Sequence, residues 1–114
     1  MTIEDFKTKL KNTPETIQFS DTMNVVETNY NFTPTAFKNG ELYNNSDQNL
    51  GSCKLLTFAK IQEFTKEETL ACFGQFYFDE VINDPNGEGH QNIRNFMKTG
   101  FEGLLFEGNA LKRR

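Results

Sequence analysis

Asn49-Leu50-Gly51-Ser52-Cys53-Lys54-Leu55-Leu56-Thr57-Phe58-Ala59 runs from a polar, glycine-containing turn into a helix that is apolar over most of its surface. Leu55, Leu56, Phe58, Ala59 and Ile61 spread over a wide arc at 100° per residue, the pattern of a helix buried on most sides. The stretch lies near the middle of the chain, so it is expected to be the central helix. Ser52 suits an N-cap, which would put Cys53 at the first helical position.

The flanking sequence supplies the other layers. On the N-terminal side, Thr2 with Asp5 reads as a capping box for a first helix whose face is Ile3, Phe6 and Leu10. Thr13-Pro14 suits the start of a single turn. Ser20 or Asp21 is expected to cap a second helix with Met23, Val26 and Tyr30 on its inner face, stopped by Thr33-Pro34. Thr35 to Tyr43 reads as a β-hairpin around Asn39-Gly40, the pair favoured in a type I′ turn, with Phe37 opposite Leu42 and Lys38 opposite Glu41. On the C-terminal side, Thr65-Lys66-Glu67-Glu68 is a full capping box, and Leu70, Phe73, Gly74, Tyr77 and Val81 form the stripe of one long helix. Gly74 inside that helix implies close approach of another backbone, with the Ser52 helix as the expected neighbour. A last helix spans His90 to Thr99, with Gly100 as its C-cap and Phe101 folding back on Phe96. Residues 102–108 read as a strand that joins the hairpin. The expectation is one α+β domain over residues 1–114, mostly helical, with about five helices and a small antiparallel sheet.

Composition narrows the function classes. The chain has 114 residues, 12 Phe, 3 Tyr and no Trp, so one core built largely from phenylalanine rings is expected. Net charge is −4, which argues against a nucleic-acid surface. The basic run Lys112-Arg113-Arg114 reads as a solvated tail. No apolar run has the roughly 20 residues needed to span a bilayer. Met1-Thr2-Ile3-Glu4-Asp5-Phe6 lacks the basic n-region of a signal peptide. A soluble, cytoplasmic, thiol-reduced protein is expected, with no nucleic acid and no membrane as partner.

Three clusters carry candidate chemistry. Cys53 at a helix start, with His90 as base and Asn49 or Asn92 orienting the imidazole, would be a nucleophile pair; the bland alternative is a core cysteine and a helix-starting histidine. Cys53, Cys72 and His90 lack metal-ligand spacing, and Asp84, Asn86 and Glu88 lack the rest of a calcium loop, so no metal and no cofactor are expected. Polar residues also gather at three junctions. Tyr30 precedes the hairpin, Asn49 and Ser52 precede the central helix, and Asn92 and Arg94 open the last one. If these converge they line a ligand pocket, with Arg94 able to hold a carboxylate or phosphate. Otherwise they are caps and turn formers.

The blocks Asn29-Tyr30-Asn31-Phe32-Thr33-Pro34-Thr35-Ala36-Phe37-Lys38-Asn39-Gly40, Gly51-Ser52-Cys53-Lys54-Leu55, Leu70-Ala71-Cys72-Phe73-Gly74 and His90-Gln91-Asn92-Ile93-Arg94-Asn95-Phe96-Met97-Lys98, with Gly100-Phe101-Glu102-Gly103, occur in this order. In these blocks the chain resembles the HopJ type III effector family over about residues 3 to 111. Phe101 stands where that family's pattern has tryptophan. The resemblance implies a bacterial protein and, by the family name, delivery into a plant host by type III secretion; it implies no catalytic residues. The short lead into the first helix leaves little room for a secretion leader, so a role inside the bacterium is expected as readily. The leading expectation is a small non-enzymatic protein that binds a protein or small-molecule partner. The alternative is a thiol-dependent enzyme using Cys53 and His90.

Overall fold

Helix α3 (Leu50–Gln62) occupies the centre of the molecule, and Cys53, Leu55, Leu56, Phe58 and Ala59 on it are fully buried. The computed structural model describes residues 1–114. Helix α1 (Ile3–Asn12) starts at the expected Thr2–Asp5 capping box and lays Phe6 and Leu10 into the core. Phe6 meets Phe58 edge-on at 6.0 Å.

Helix α2 (Phe19–Asn29) begins earlier than expected. Gln18, not Ser20 or Asp21, is its N-cap, and the Asp21 carboxylate accepts the Gln18 N–H at 2.9 Å. Its inner face is Thr22, Val25 and Val26. Thr22 belongs there because its hydroxyl donates to the Cys72 carbonyl at 2.7 Å, which satisfies a polar group inside the core.

Two small antiparallel sheets flank the helices. The first contains β2 (Phe37–Asn39), β3 (Leu42–Asn44) and β4 (Leu104–Phe106), in the order β3-β2-β4, so the C-terminal segment joins the hairpin as expected. The hairpin register differs from the expected one. Phe37 lies opposite Asn44, Lys38 opposite Tyr43 and Asn39 opposite Leu42. Gly40-Glu41 therefore forms the turn, with Gly40 at φ +62 in the first central position, the glycine placement of a II′ hairpin. Asn39 is drawn out of the turn because its side chain is fully buried and donates to the Asn92 carbonyl at 2.8 Å.

The second sheet pairs β1 (Tyr30–Phe32) with β5 (Leu111–Arg113), and Tyr30 lies opposite Arg113. Tyr30 is thus a strand residue, not the end of α2. The run Lys112-Arg113-Arg114 is not a free tail. The Arg114 guanidinium donates to the Glu27 carbonyl near the C-terminal end of α2, at 3.0 and 3.2 Å. Carbonyls unpaired at a helix end attract such a cation.

The long helix expected from Leu70 to Val81 is divided. Helix α4 (Lys66–Ala71) starts at its Thr65–Glu68 capping box and ends before Gly74, whose φ is +61; a π-helical segment, Phe76–Val81, follows. A Cβ at Gly74 would lie 2.5 Å from the Phe19 nitrogen and 2.8 Å from the Ile17 oxygen. The close backbone at Gly74 is therefore the Ile17–Phe19 segment, not the Ser52 helix. Helix α5 (Gln91–Thr99) ends at Gly100, and Phe101 meets Phe96 edge-on at 5.1 Å as expected. One cluster of 23 buried apolar residues joins all these elements except β3, with Phe6, Phe37, Phe58, Phe73 and Phe96 among its largest fully buried side chains. No helix is long and apolar enough to cross a membrane. The architecture is a single α+β domain.

Candidate functional site

Asparagine carries two donors and an acceptor with two lone pairs, so a group of asparagines can saturate itself without water. Four of them do most of this here. Asn92 Nδ2 donates to Asn44 Oδ1 at 3.0 Å, and Asn44 Nδ2 donates back to Asn92 Oδ1 at 3.2 Å. Asn39 Nδ2 donates to the backbone and side-chain oxygens of Asn92 at 2.8 and 3.0 Å. Asn49 Nδ2 donates to Asn44 Oδ1 at 2.6 Å. Asn39, Asn44 and Asn92 are buried. The network fastens the hairpin to the start of α5 and, through Asn49, to the start of α3.

Both helix starts open onto one cleft of about 400 Å³. Asn49, Gly51 and Ser52 come from α3, and His90, Gln91, Asn92 and Ile93 from α5. The opposite wall is made by Phe19, Phe73 and Phe76. Phe19 stacks on Phe73 at 6.5 Å and tilts against Phe76 at 5.2 Å. Two glycines allow this wall. Gly74 admits the Phe19 backbone, and a Cβ at Gly51 would stand 2.9 Å from the Phe19 ring.

The helix starts are unusual within this chain. Asn49 (φ 49, ψ 48) and His90 (φ 57, ψ 52) are N-caps in the left-handed region, and neither side chain caps its helix. The first intrahelical bonds are Cys53 N–H to the Asn49 carbonyl and Arg94 N–H to the His90 carbonyl. Earlier N–H groups in each first turn have no intrahelical acceptor, and the residues of both first turns, at the positive ends of the helix dipoles, line the cleft. His90 sits at the rim, with Nε2 2.9 Å from Glu80 Oε1 and its ring 5.3 Å from Phe76.

Of the residues read from sequence, the structure brings Asn49, Ser52, Asn92 and His90 to this cleft. Tyr30 is elsewhere: it is buried, its hydroxyl accepts from Gln62 at 3.0 Å, and its ring packs edge-on against Phe58. Arg94 turns away, donating to the Asp84 carbonyl at 2.8 Å and the Gly89 carbonyl at 2.5 Å. It clamps the turn before α5 and supplies no cation to the cleft.

Cys53 is not at a helix start. Helix α3 begins at Leu50, so Cys53 is its fourth residue. It is fully buried, its thiol donates to the Thr35 carbonyl at 3.4 Å, and burial pushes the thiol pKa up. It shares no hydrogen bond with His90. No group of three or more His, Cys, Asp or Glu side chains is placed to hold a metal ion. Sequence reading put Phe73 and Phe76 on the apolar stripe of one helix and Phe19 in no pattern, so it missed the wall they form together. Gly51 and Gly74 were the only local signals that another group comes close.

The family model described as HopJ type III effector protein matches residues 3–111. The crystal structure of VPA0580, a protein of unknown function, superposes with a TM-score of 0.97 at 48% sequence identity, covering 100% of this chain and 95% of that one. No curated protein is significantly similar to the chain.

Proposed function

The chain belongs to the HopJ type III effector protein family, and from that premise we propose that it is a non-catalytic binding protein whose cleft takes a small ligand with a flat apolar body and a carboxylate or similar acceptor. One observation carries this reading: two helix starts without side-chain caps, α3 and α5, open onto a cleft walled by Phe19, Phe73 and Phe76. Unpaired backbone donors and dipole ends favour an anionic acceptor. Aromatic faces favour a ring. The volume, about 400 Å³, falls in the range of small-molecule sites. A thiol enzyme gains no support, because Cys53 is buried and apart from this cleft.

The test is a titration of ¹⁵N-labelled protein with benzoate and, separately, inorganic phosphate. Benzoate is expected to shift the amides of Gly51, Ser52, Asn92 and Ile93 more than any others, and Ser52→Ala to weaken it. Absence of shifts at these amides up to about 10 mM, a very weak affinity, overturns the reading. The family description raises a second reading, delivery into a host cell by type III secretion. A translocation-reporter fusion tests it, against the alternative of a protein retained in the bacterial cytoplasm.

A further inference from the structure

On the far side of the start of α5 lies a second cleft of about 530 Å³. Its apolar floor is Val81, Ile82 and Met97, and its cations are Arg94 and Lys98. The chain holds 16 acidic residues against 12 basic ones, yet no acidic residue lines this cleft. Ile82 and Met97 are 47% and 37% exposed, among the large apolar side chains left open to solvent.

Arg94 and Lys98 are four apart on α5, so they are neighbours on one helix face, and a like-charge pair in that relation repels. Neither is in a salt bridge with an acid. Arg94 bonds through Nε and Nη1; its Nη2 makes no hydrogen bond and stands beside Gly87 of the cleft lining, near the Asp84 carboxylate but not in ion-pair contact with it, and Lys98 has no hydrogen-bond partner. Met97 stands between them in sequence, beside the floor. An anion seated between the two cations would relieve their repulsion while its apolar part covers Val81, Ile82 and Met97.

We propose that this second cleft binds a small amphipathic carboxylate, an aliphatic chain with one acid group, held by Arg94 Nη2 and Lys98 over the Val81–Ile82–Met97 floor. The site is separate from the aromatic cleft, the two sharing only Gln91 in their walls. The carboxylate is favoured over an acidic peptide because the charge to be neutralised is two cations one helical turn apart, and no further basic residue lines the cleft.

Octanoate is the probe, titrated below its micelle concentration into ¹⁵N- and methionine-methyl-labelled protein. Shifts are expected at the Met97 methyl and at the amides of Ile82, Lys98 and Gly87. Octanol is expected to bind at least about tenfold more weakly, the factor that corresponds to one lost charge interaction. Lys98→Ala, an exposed change that leaves the Arg94 clamp intact, is expected to weaken octanoate by about the same factor. The proposal is overturned if octanoate and octanol bind alike, if Lys98→Ala binds as well as the parent, or if only an acidic peptide shifts these resonances. Shifts confined to Gly51 and Ser52 also overturn it, and leave the aromatic cleft's reading untouched.

Discussion

Asn92 shows how much one side chain can hold. Its amide exchanges bonds with Asn44, and its two oxygens receive Asn39. Asn92→Ala removes one hydrogen bond from each of Asn39 Nδ2, Asn44 Nδ2 and Asn44 Oδ1, which keep the backbone carbonyl of residue 92, the Phe37 carbonyl and Asn49 as partners. The expected loss is about 3 kcal/mol, from three buried hydrogen bonds at about 1 kcal/mol each, and urea unfolding measures it. An effect below about 1 kcal/mol would mean that water replaces the missing amide. Individual residues are also where sequence legibility was poorest. Asn39-Gly40 carried a strong local preference for a turn, but a buried side-chain bond to Asn92 moved Asn39 into the strand. Arg94 was read as a ligand cation because it opens a helix; two carbonyls of the preceding turn, Asp84 and Gly89, claim it instead. Pairings between residues some 50 positions apart leave no local trace.

Elements were far more readable when their signals were local. The capping boxes at Thr2 and Thr65, the burial of α3, the Phe96–Phe101 fold-back and the strand after Gly103 all follow from spacing alone. The divided helix after Ala71 did not, because its stripe is continuous and only the positive φ of Gly74 interrupts it. Strand β5 was hidden by its charge. Lys112 and Arg113 are exposed, and what holds the strand is its pairing with β1, burial of Leu111 and the Arg114–Glu27 bonds. Deleting residues 111–114 is therefore expected to cost roughly 3 kcal/mol or more, from one buried leucine and lost strand bonds. A thermal midpoint unchanged by the deletion would show that the sheet is ornamental.

At the scale of the whole molecule, the two thiols link stability to pH. Burial pushes Cys72 well above the usual value near 9, and Cys53 moves in the same direction. A raised thiol pKa means the fold favours the protonated form. Above about pH 9 the unfolded chain loses the Cys72 proton while the folded one keeps it. The unfolded state then binds fewer protons, so stability falls as pH rises, by up to about 1.4 kcal/mol per pH unit from this group. Below that pH the thiol contributes no slope. Unfolding free energies from pH 8 to about 10.5 check this, and Cys72→Ala should flatten the decline. An equal decline in both proteins would assign it to other groups.

The left-handed caps at Asn49 and His90 bear on how the sequence has been shaped. Thr2 and Thr65 show that this chain builds complete caps where nothing opposes them. At Asn49 and His90 it holds strained backbone instead, at about 1 kcal/mol or more each, and leaves both first turns without side-chain caps. Such positions are frustrated in the landscape sense, and frustration in a folded protein collects where function competes with stability. Drift under selection for stability alone would erase these two positions first. A lineage with ordinary caps at both would keep the fold and close the cleft's reason for being.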